Sequence, residues 1–301
     1  MNIFDLAISY TWEYDQEFVD LIEFIFQKDG LTTFVISTYN VFEVINALQS
    51  KQLHFHSYLD RASDVDSDFE PIATILSKRK SYIINPHKKV HRFINKSFMH
   101  KVLSKKNFNL PKTIILPPYY YNHSINIKQE ELDKIGNPFI IKPAIYTGGG
   151  EGVKIDATTI YQIQKERIKN QTEEYLIQEK IQPKILGGKR AWFRVFWAFN
   201  KVIPTWWDDQ THIYETISHE QIKKYNLHQL YRITKRLFKI TRIDYFSTEI
   251  ALSKKNKFVL IDYINDQCDM RLKSNHIDGV PDEVVINFIE QMKKKVLLFK
   301  K

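Results

Sequence analysis

Lys142 stands in an apolar frame, Pro138-Phe-Ile-Ile-Lys142-Pro143, and is followed by Thr147-Gly-Gly-Gly150-Glu-Gly152-Val153. A lysine set between isoleucines and a proline is poorly explained as a solvated side chain. Three consecutive glycines weaken a strand or a helix, but they suit a loop whose N–H groups close on an anion. This is no Walker loop, since Gly-Lys-Ser/Thr is missing and the lysine precedes the glycines. It is no dinucleotide fingerprint either, because Val-Lys-Ile-Asp after it reads as extended chain. By itself the segment is equally an ordinary hairpin turn. Other residues change the balance: Lys96 heads a basic stretch, Gln178-Glu179-Lys180-Ile181 closes an apolar run, and Arg194 lies in another. Glu249 in FSTEIA precedes Asp262 and Asn265 in VLIDYIND. Two carboxylates on neighbouring strands with an amide oxygen make an all-oxygen magnesium site. Lysines, a glycine flap and magnesium together are what a triphosphate requires.

The elements that must position these residues fall into two styles. Over residues 1–85 apolar strand-like runs (5–10, 31–37, 53–58, 81–85) alternate with helical spacing (15–27, 41–49, 67–78), which predicts a small parallel sheet flanked by helices. Pro86 ends that pattern. Beyond it the sequence predicts a basic helix over 96–106, strands at 113–116, 139–142, 152–155 and 175–181, and a polar helix over 158–169. Further strands follow at 192–199, 201–206, 246–252 and 257–264, with helices over 219–237 and 281–298. The fold class is α/β in the first part and α+β, with antiparallel strands, in the second.

Composition limits the function classes. The chain has 301 residues, 43% hydrophobic and 26% charged, which is a globular balance and not a disordered one. The single cysteine, Cys268, excludes a disulfide framework and a CxxC zinc site, and fits the reducing cytosol. No apolar run approaches a membrane span, and the first residues, MNIFDLAISYTWEYD, carry acids where a signal peptide would be basic. The expectation is a cytoplasmic protein. The net charge of +9 is unevenly spread: residues 1–80 hold 6 Lys/Arg against 13 Asp/Glu, while 81–129 hold nine Lys/Arg and no acid. That block is a solvated face, a nucleic-acid surface or a local field for a small polyanion, and charge alone does not choose. Only Arg92 in it is an arginine, which makes nucleic acid the unlikely partner.

With these residues in this order, the chain resembles the ATP-grasp superfamily, of the carboxylate–amine or –thiol ligase kind represented by RimK and D-Ala-D-Ala ligase. The resemblance implies an ATP-grasp fold over 87–301 preceded by a parallel α/β N-terminal domain over 1–86. The ATP-grasp part would divide into a central subdomain, 87–182, with the glycine loop, and a C-terminal subdomain, 183–301, with the magnesium site. It assigns Lys96 and Lys142 to the nucleotide phosphates, and Thr147, Gly148, Gly149, Gly150 and Gly152 to the loop over the triphosphate. Glu179, Lys180, Ile181 and Gln182 fall at the adenine hinge, Arg194 at the γ-phosphate or acyl phosphate, and Glu249, Asp262 and Asn265 at Mg²⁺, for which Mn²⁺ is a possible substitute. Two departures stand out. The last metal motif reads Asp262-x-x-Asn265 with Asp266 adjacent, where the family has acid-x-Asn, so Asp266 is an alternative donor. Trp192 occupies the position of an aspartate two residues before the arginine.

Arg61, after the third strand, stands where the crevice of a parallel sheet binds ligands and is either a substrate candidate or a loop salt-bridge partner, and Arg271 behind the metal motif is a further substrate candidate. The histidines at 54, 56, 87, 91 and 100 have no metal spacing, and the tryptophans at 192, 197, 206 and 207 read as core. The resemblance implies an ATP- and Mg-dependent ligase joining a small-molecule or peptide carboxylate to an amine through an acyl phosphate, as a possible homodimer. A small-molecule kinase on the same scaffold is the alternative, and a nucleic-acid-binding protein a third.

Overall fold

The alternation of apolar runs and amphipathic stretches gives β1 (Asn2–Tyr10), α1 (Gln16–Lys28), β2 (Thr33–Ile36), α2 (Val41–Gln49), β3 (Leu53–Arg61), α3 (Glu70–Lys78) and β4 (Tyr82–Ile84) in the computed structural model, which describes residues 1–145 and 150–300. All pairings are parallel, in the order β2-β1-β3-β4. The central strand β1 is buried on both faces, hence its unbroken apolar run. Successive side chains point to opposite faces. Leu6 and Ile8 accordingly pack with Phe18, Ile22 and Phe26 of α1, while Ala7 packs with Val44 and Leu48 of α2 and Leu76 of α3.

Next come α4 (His87–Ile94), α5 (Lys96–Lys105), β5 (Thr113–Leu116), α6 (Gln129–Ile135), β6 (Phe139–Pro143), β7 (Lys154–Ala157), α7 (Ile160–Lys169) and β8 (Tyr175–Glu179). α4 and α6 are not among the expected elements. Pro86 does not merely end the first pattern: its carbonyl accepts from the N–H groups of Lys89 and Val90 and so opens α4. β5-β8-β6-β7 form an antiparallel sheet.

Short strands β9 (Ile185–Leu186) and β10 (Lys189–Arg190) form a hairpin, followed by β11 (Trp192–Ala198), β12 (Lys201–Trp207), β13 (Tyr214–Thr216), α8 (His219–Lys224), α9 (His228–Thr241), β14 (Tyr245–Leu252), β15 (Phe258–Asn265) and α10 (Asp282–Leu297). The single helix expected over 219–237 is two, because Asn226 takes a left-handed φ of 53° after Tyr225 closes α8. Asparagine tolerates that conformation better than most residues. The second large sheet has the order β13-β12-β11-β14-β15, so β14 and β15 are neighbours as expected for Glu249 and Asp262.

By contacts the chain forms two compact units. The first comprises residues 1–90, 194–247 and 266–301, and the second 91–193 and 248–265. In the first, Val285, Phe288, Ile289 and Met292 of α10 share one core with α1 and β1. The second is built on Ile141, Ile163, Tyr175 and Ile177. Among the described residues no helix is long and apolar enough to cross a membrane.

Candidate functional site

Lys142 belongs to β6, in register with Leu176 of β8, and is only 7% exposed. Its ammonium donates to the carbonyl of Ile261 at 3.4 Å and lies 5.9 Å from the centre of the Tyr263 ring. Both partners are on β15. Burial above all, opposed by Asp262 and Glu249 and helped by Lys96, lowers the amine from its ordinary range to about 8. Two lysines and two carboxylates thus act on one buried point of the second unit.

Lys96 reaches that point because α5 begins there. Asn95 caps the helix by accepting from the Phe98 N–H at 2.8 Å, and the Lys96 N–H donates to the carbonyl of Ala144, just beyond β6, at 2.8 Å. The Lys96 ammonium is 3.6 Å from Asp262 Oδ1. Asp262 is further tied to β14 by its own carbonyl, which accepts from Thr248 Oγ1 at 2.7 Å. Glu249 Oε2 accepts from the indole N–H of Trp192 at 3.2 Å.

Behind Lys142 lies a polar network that the sequence did not single out. The Tyr263 hydroxyl meets His100 Nδ1 at 2.7 Å and accepts from Gln178 Nε2 at 3.2 Å, and Gln178 also donates to Thr113 Oγ1 at 3.0 Å. Burial and the charge of Lys142 push His100 down to about 4, so it is neutral at physiological pH. Burial, with Asp262 nearby, raises the Tyr263 hydroxyl well above its ordinary value. His100 had no metal spacing to mark it, since its partner is 163 residues away.

Of the glycine segment, Thr147, Gly148 and Gly149 lie outside the described residues. Gly150 and Gly152 have φ of 85° and 69°, and the Val153 N–H donates to the Gly150 carbonyl at 3.1 Å. A Cβ on Gly152 would sit 3.2 Å from Pro143 Cγ, so the turn is held against the residue after Lys142. Glu179 ends β8 opposite Phe139, and its carboxylate accepts from the Lys112 N–H at 3.2 Å. Lys180 pairs with Asp156, Ile181 is half-buried, and Gln182 accepts from the Lys254 N–H at 3.0 Å.

Among the described residues no group of three or more His, Cys, Asp or Glu could hold a metal ion. Two carboxylates and an amide are instead a partial donor set of hard oxygens, of the kind magnesium completes with phosphate and water. Glu249 and Asp262, which both act on Lys142, fit that chemistry.

No protein-family model matches the sequence, and no curated protein matches it. Solved structures do. D-alanine–D-alanine ligase from Bacillus anthracis, complexed with ATP, superposes with a TM-score of 0.66 at 13% identity, covering 98% of this chain and 99% of the other. The ATP-grasp ligase PsnB, complexed with a minimal precursor, Mg and ADP, gives 0.59 at 11% identity over 96% and 98%. A RimK domain ATP-grasp protein from Sphaerobacter thermophilus gives 0.60 at 14% over 94% and 97%. The chain has the ATP-grasp fold. Helix and strand follow that fold along nearly the whole length, the parallel N-terminal sheet included.

Within this ATP-grasp framework the remaining candidates have these surroundings. Arg194, in the first unit, lies on β11 with its guanidinium 4.5 Å from the centre of the Trp207 ring. Asn265 ends β15 half-buried. Burial and Asp64 raise the carboxyl of Asp266, in the first unit, to about 6. Arg61 is 5% exposed and binds Asp15 through two N–H donors, at 2.8 and 2.7 Å, and the Cys268 carbonyl at 3.1 Å. Arg271 pairs with Asp269 at 2.7 Å and Asp278 at 2.9 Å.

Proposed function

We propose that this protein is an ATP- and Mg²⁺-dependent ligase that joins a carboxylate to an amine through an acyl phosphate, releasing ADP and phosphate. The observation that carries the reading is the convergence of Lys96, Asp262 and Glu249 on the buried amine of Lys142. In this reading Lys142 and Lys96 bind the phosphate oxygens and offset negative charge that grows as the γ-phosphoryl group departs. The desolvated site strengthens that attraction, and the neutral His100–Tyr263 pair holds the wall against which Lys142 rests. Glu249, Asp262 and Asn265 would hold magnesium, whose positive charge would offset that of the phosphate groups. Trp192 orients the Glu249 carboxylate. Residues 179–182 receive the adenine edge, and residues 150–153 are assigned to the phosphate side of the site, where they keep water from the acyl phosphate. Arg194 is assigned to the transferring phosphoryl group. The neighbours described as ligases complexed with ATP, or with Mg and ADP, support the reading at the level of fold.

A carboxylate is a weak electrophile until its oxygen is converted into a leaving group. With ATP, magnesium and a panel of N-acetylated, lysine-free amino acids and acidic peptides, so that no free amine is present, added hydroxylamine should therefore trap a hydroxamate, with ADP rather than AMP as product. A stable phosphate ester on a hydroxyl substrate, with no hydroxamate, would replace the ligase with a kinase.

A further inference from the structure

Residues 221–243 contain seven lysines and arginines and no carboxylate. They fold as the body of α8, the turn at Asn226, and α9. On α9, Leu230, Thr234, Leu237 and Thr241 are buried and recur at the spacing of one helix face. His228, Arg232, Lys235 and Lys239 recur at the same spacing on the opposite face, and all are exposed. Arg236 widens the row, which runs about 16 Å at 1.5 Å per residue. Like charges three and four residues apart repel by roughly 0.2–0.5 kcal/mol per pair, and no acid on this helix relieves them.

The same helix borders a cavity. Tyr231 lines one side of a space of about 280 Å³ in the first unit. Val202, Ile203, Ile222 and Val284, all buried, give it an apolar floor, and Lys201, Thr216 and Glu283 contribute to a polar rim. None of these residues belongs to the nucleotide set above.

We propose that this face docks an acidic polypeptide segment carrying an apolar side chain, the apolar group entering the cavity and the carboxylates following α9. Charge complementarity selects an anion, and the aliphatic floor selects among anions. A polynucleotide would want a row of aromatic faces on which successive bases stack, and the cavity lining offers two rings, Tyr231 and the imidazole of His219. An anionic bilayer would want large apolar side chains beside the cations, and no exposed one lies on α8 or α9. Glu283, at the start of α10, repels carboxylates on that side of the rim and directs them toward α9. The site requires no nucleotide and stands whether or not the ligase reading does.

The test uses the full chain and fluorescence anisotropy with a labelled peptide of about ten residues, long enough to span α9 when extended, all Glu and Asp except for one leucine. Binding is expected at low salt, weakening roughly tenfold or more toward ~0.3 M salt. Replacing the leucine by glycine should weaken it severalfold. Arg232→Glu/Lys235→Glu/Lys239→Glu should weaken both peptides roughly tenfold, while Thr216→Trp, which fills the cavity from an exposed strand position, should erase only the preference for leucine. Absence of binding, an unchanged affinity in the triple variant, or tighter binding of single-stranded RNA or of phosphatidylserine vesicles would each overturn the proposal.

Discussion

A buried ammonium is costly unless something nearby requires its charge, and Lys142 is the residue where that cost is concentrated. Its desolvation is opposed only in part by Asp262 and Glu249. Lys142→Met keeps the bulk and removes the charge, so the apo protein should melt no lower than wild type. Affinity for Mg·ATP should fall by roughly 10- to 100-fold, as expected for a charge-assisted hydrogen bond worth ~1.5–3 kcal/mol. Calorimetry of binding beside a melting curve checks both. His100 supplies a pH prediction with a definite sign. Its folded value, about 4, lies below the 6.5 of an ordinary histidine, so between those values the unfolded chain binds the extra proton. Stability from keeping His100 neutral is complete above pH 6.5 and lost as pH falls toward 4. The melting temperature of wild type minus that of His100→Gln should therefore shrink over that interval. A difference that stays constant would show that His100 keeps no buried neutral state.

At the scale of elements, the strands that carry the site were legible because their residues are unusual for strands. Lys142 among isoleucines, and Glu249 and Asp262 among apolar neighbours, mark β6, β14 and β15 without any tertiary information. What was not legible was pairing over long separations. His100 on α5 and Tyr263 on β15 are ordinary residues in ordinary elements until the fold joins them, and the Trp192 indole reads as core until Glu249 is placed beside it. Pro86 misled for a different reason, since a proline stops one element and opens another with equal ease. Gly152 carries the element-scale prediction. Its φ of 69° and the 3.2 Å approach to Pro143 leave no comfortable place for a side chain. Gly152→Val should destabilise the turn by about 1–2 kcal/mol. Faster proteolysis at residues 150–153, with little change in the global melting temperature, is the expected observation; protection equal to wild type would contradict it.

At the scale of the whole molecule, the first unit is assembled from three stretches of chain, 1–90, 194–247 and 266–301. Linear reading divides the chain at 86 and 182, because composition and periodicity change there, and the contacts cut across those divisions. The reason is the core beneath β1: Leu6 and Ile8 meet Phe288, Ile289 and Met292 from the other end of the sequence. Residues 1–86 expressed alone would leave that face uncovered. They should be poorly cooperative in urea and bind a hydrophobic dye, whereas a fragment that unfolds in a single sharp transition would show that α10 is dispensable.

If Lys96, Lys142, Glu249 and Asp262 form one site for a magnesium nucleotide, isothermal titration of ATP into wild type and Asp262→Asn, each with Mg²⁺ and with EDTA, will show it. Wild type should bind Mg·ATP and lose about tenfold or more in affinity in EDTA, because the metal neutralises two carboxylates that otherwise repel the phosphates. The variant should bind Mg·ATP more weakly than wild type and respond little to EDTA. ATP binding of equal affinity in all four titrations, or none in wild type with magnesium, would contradict it.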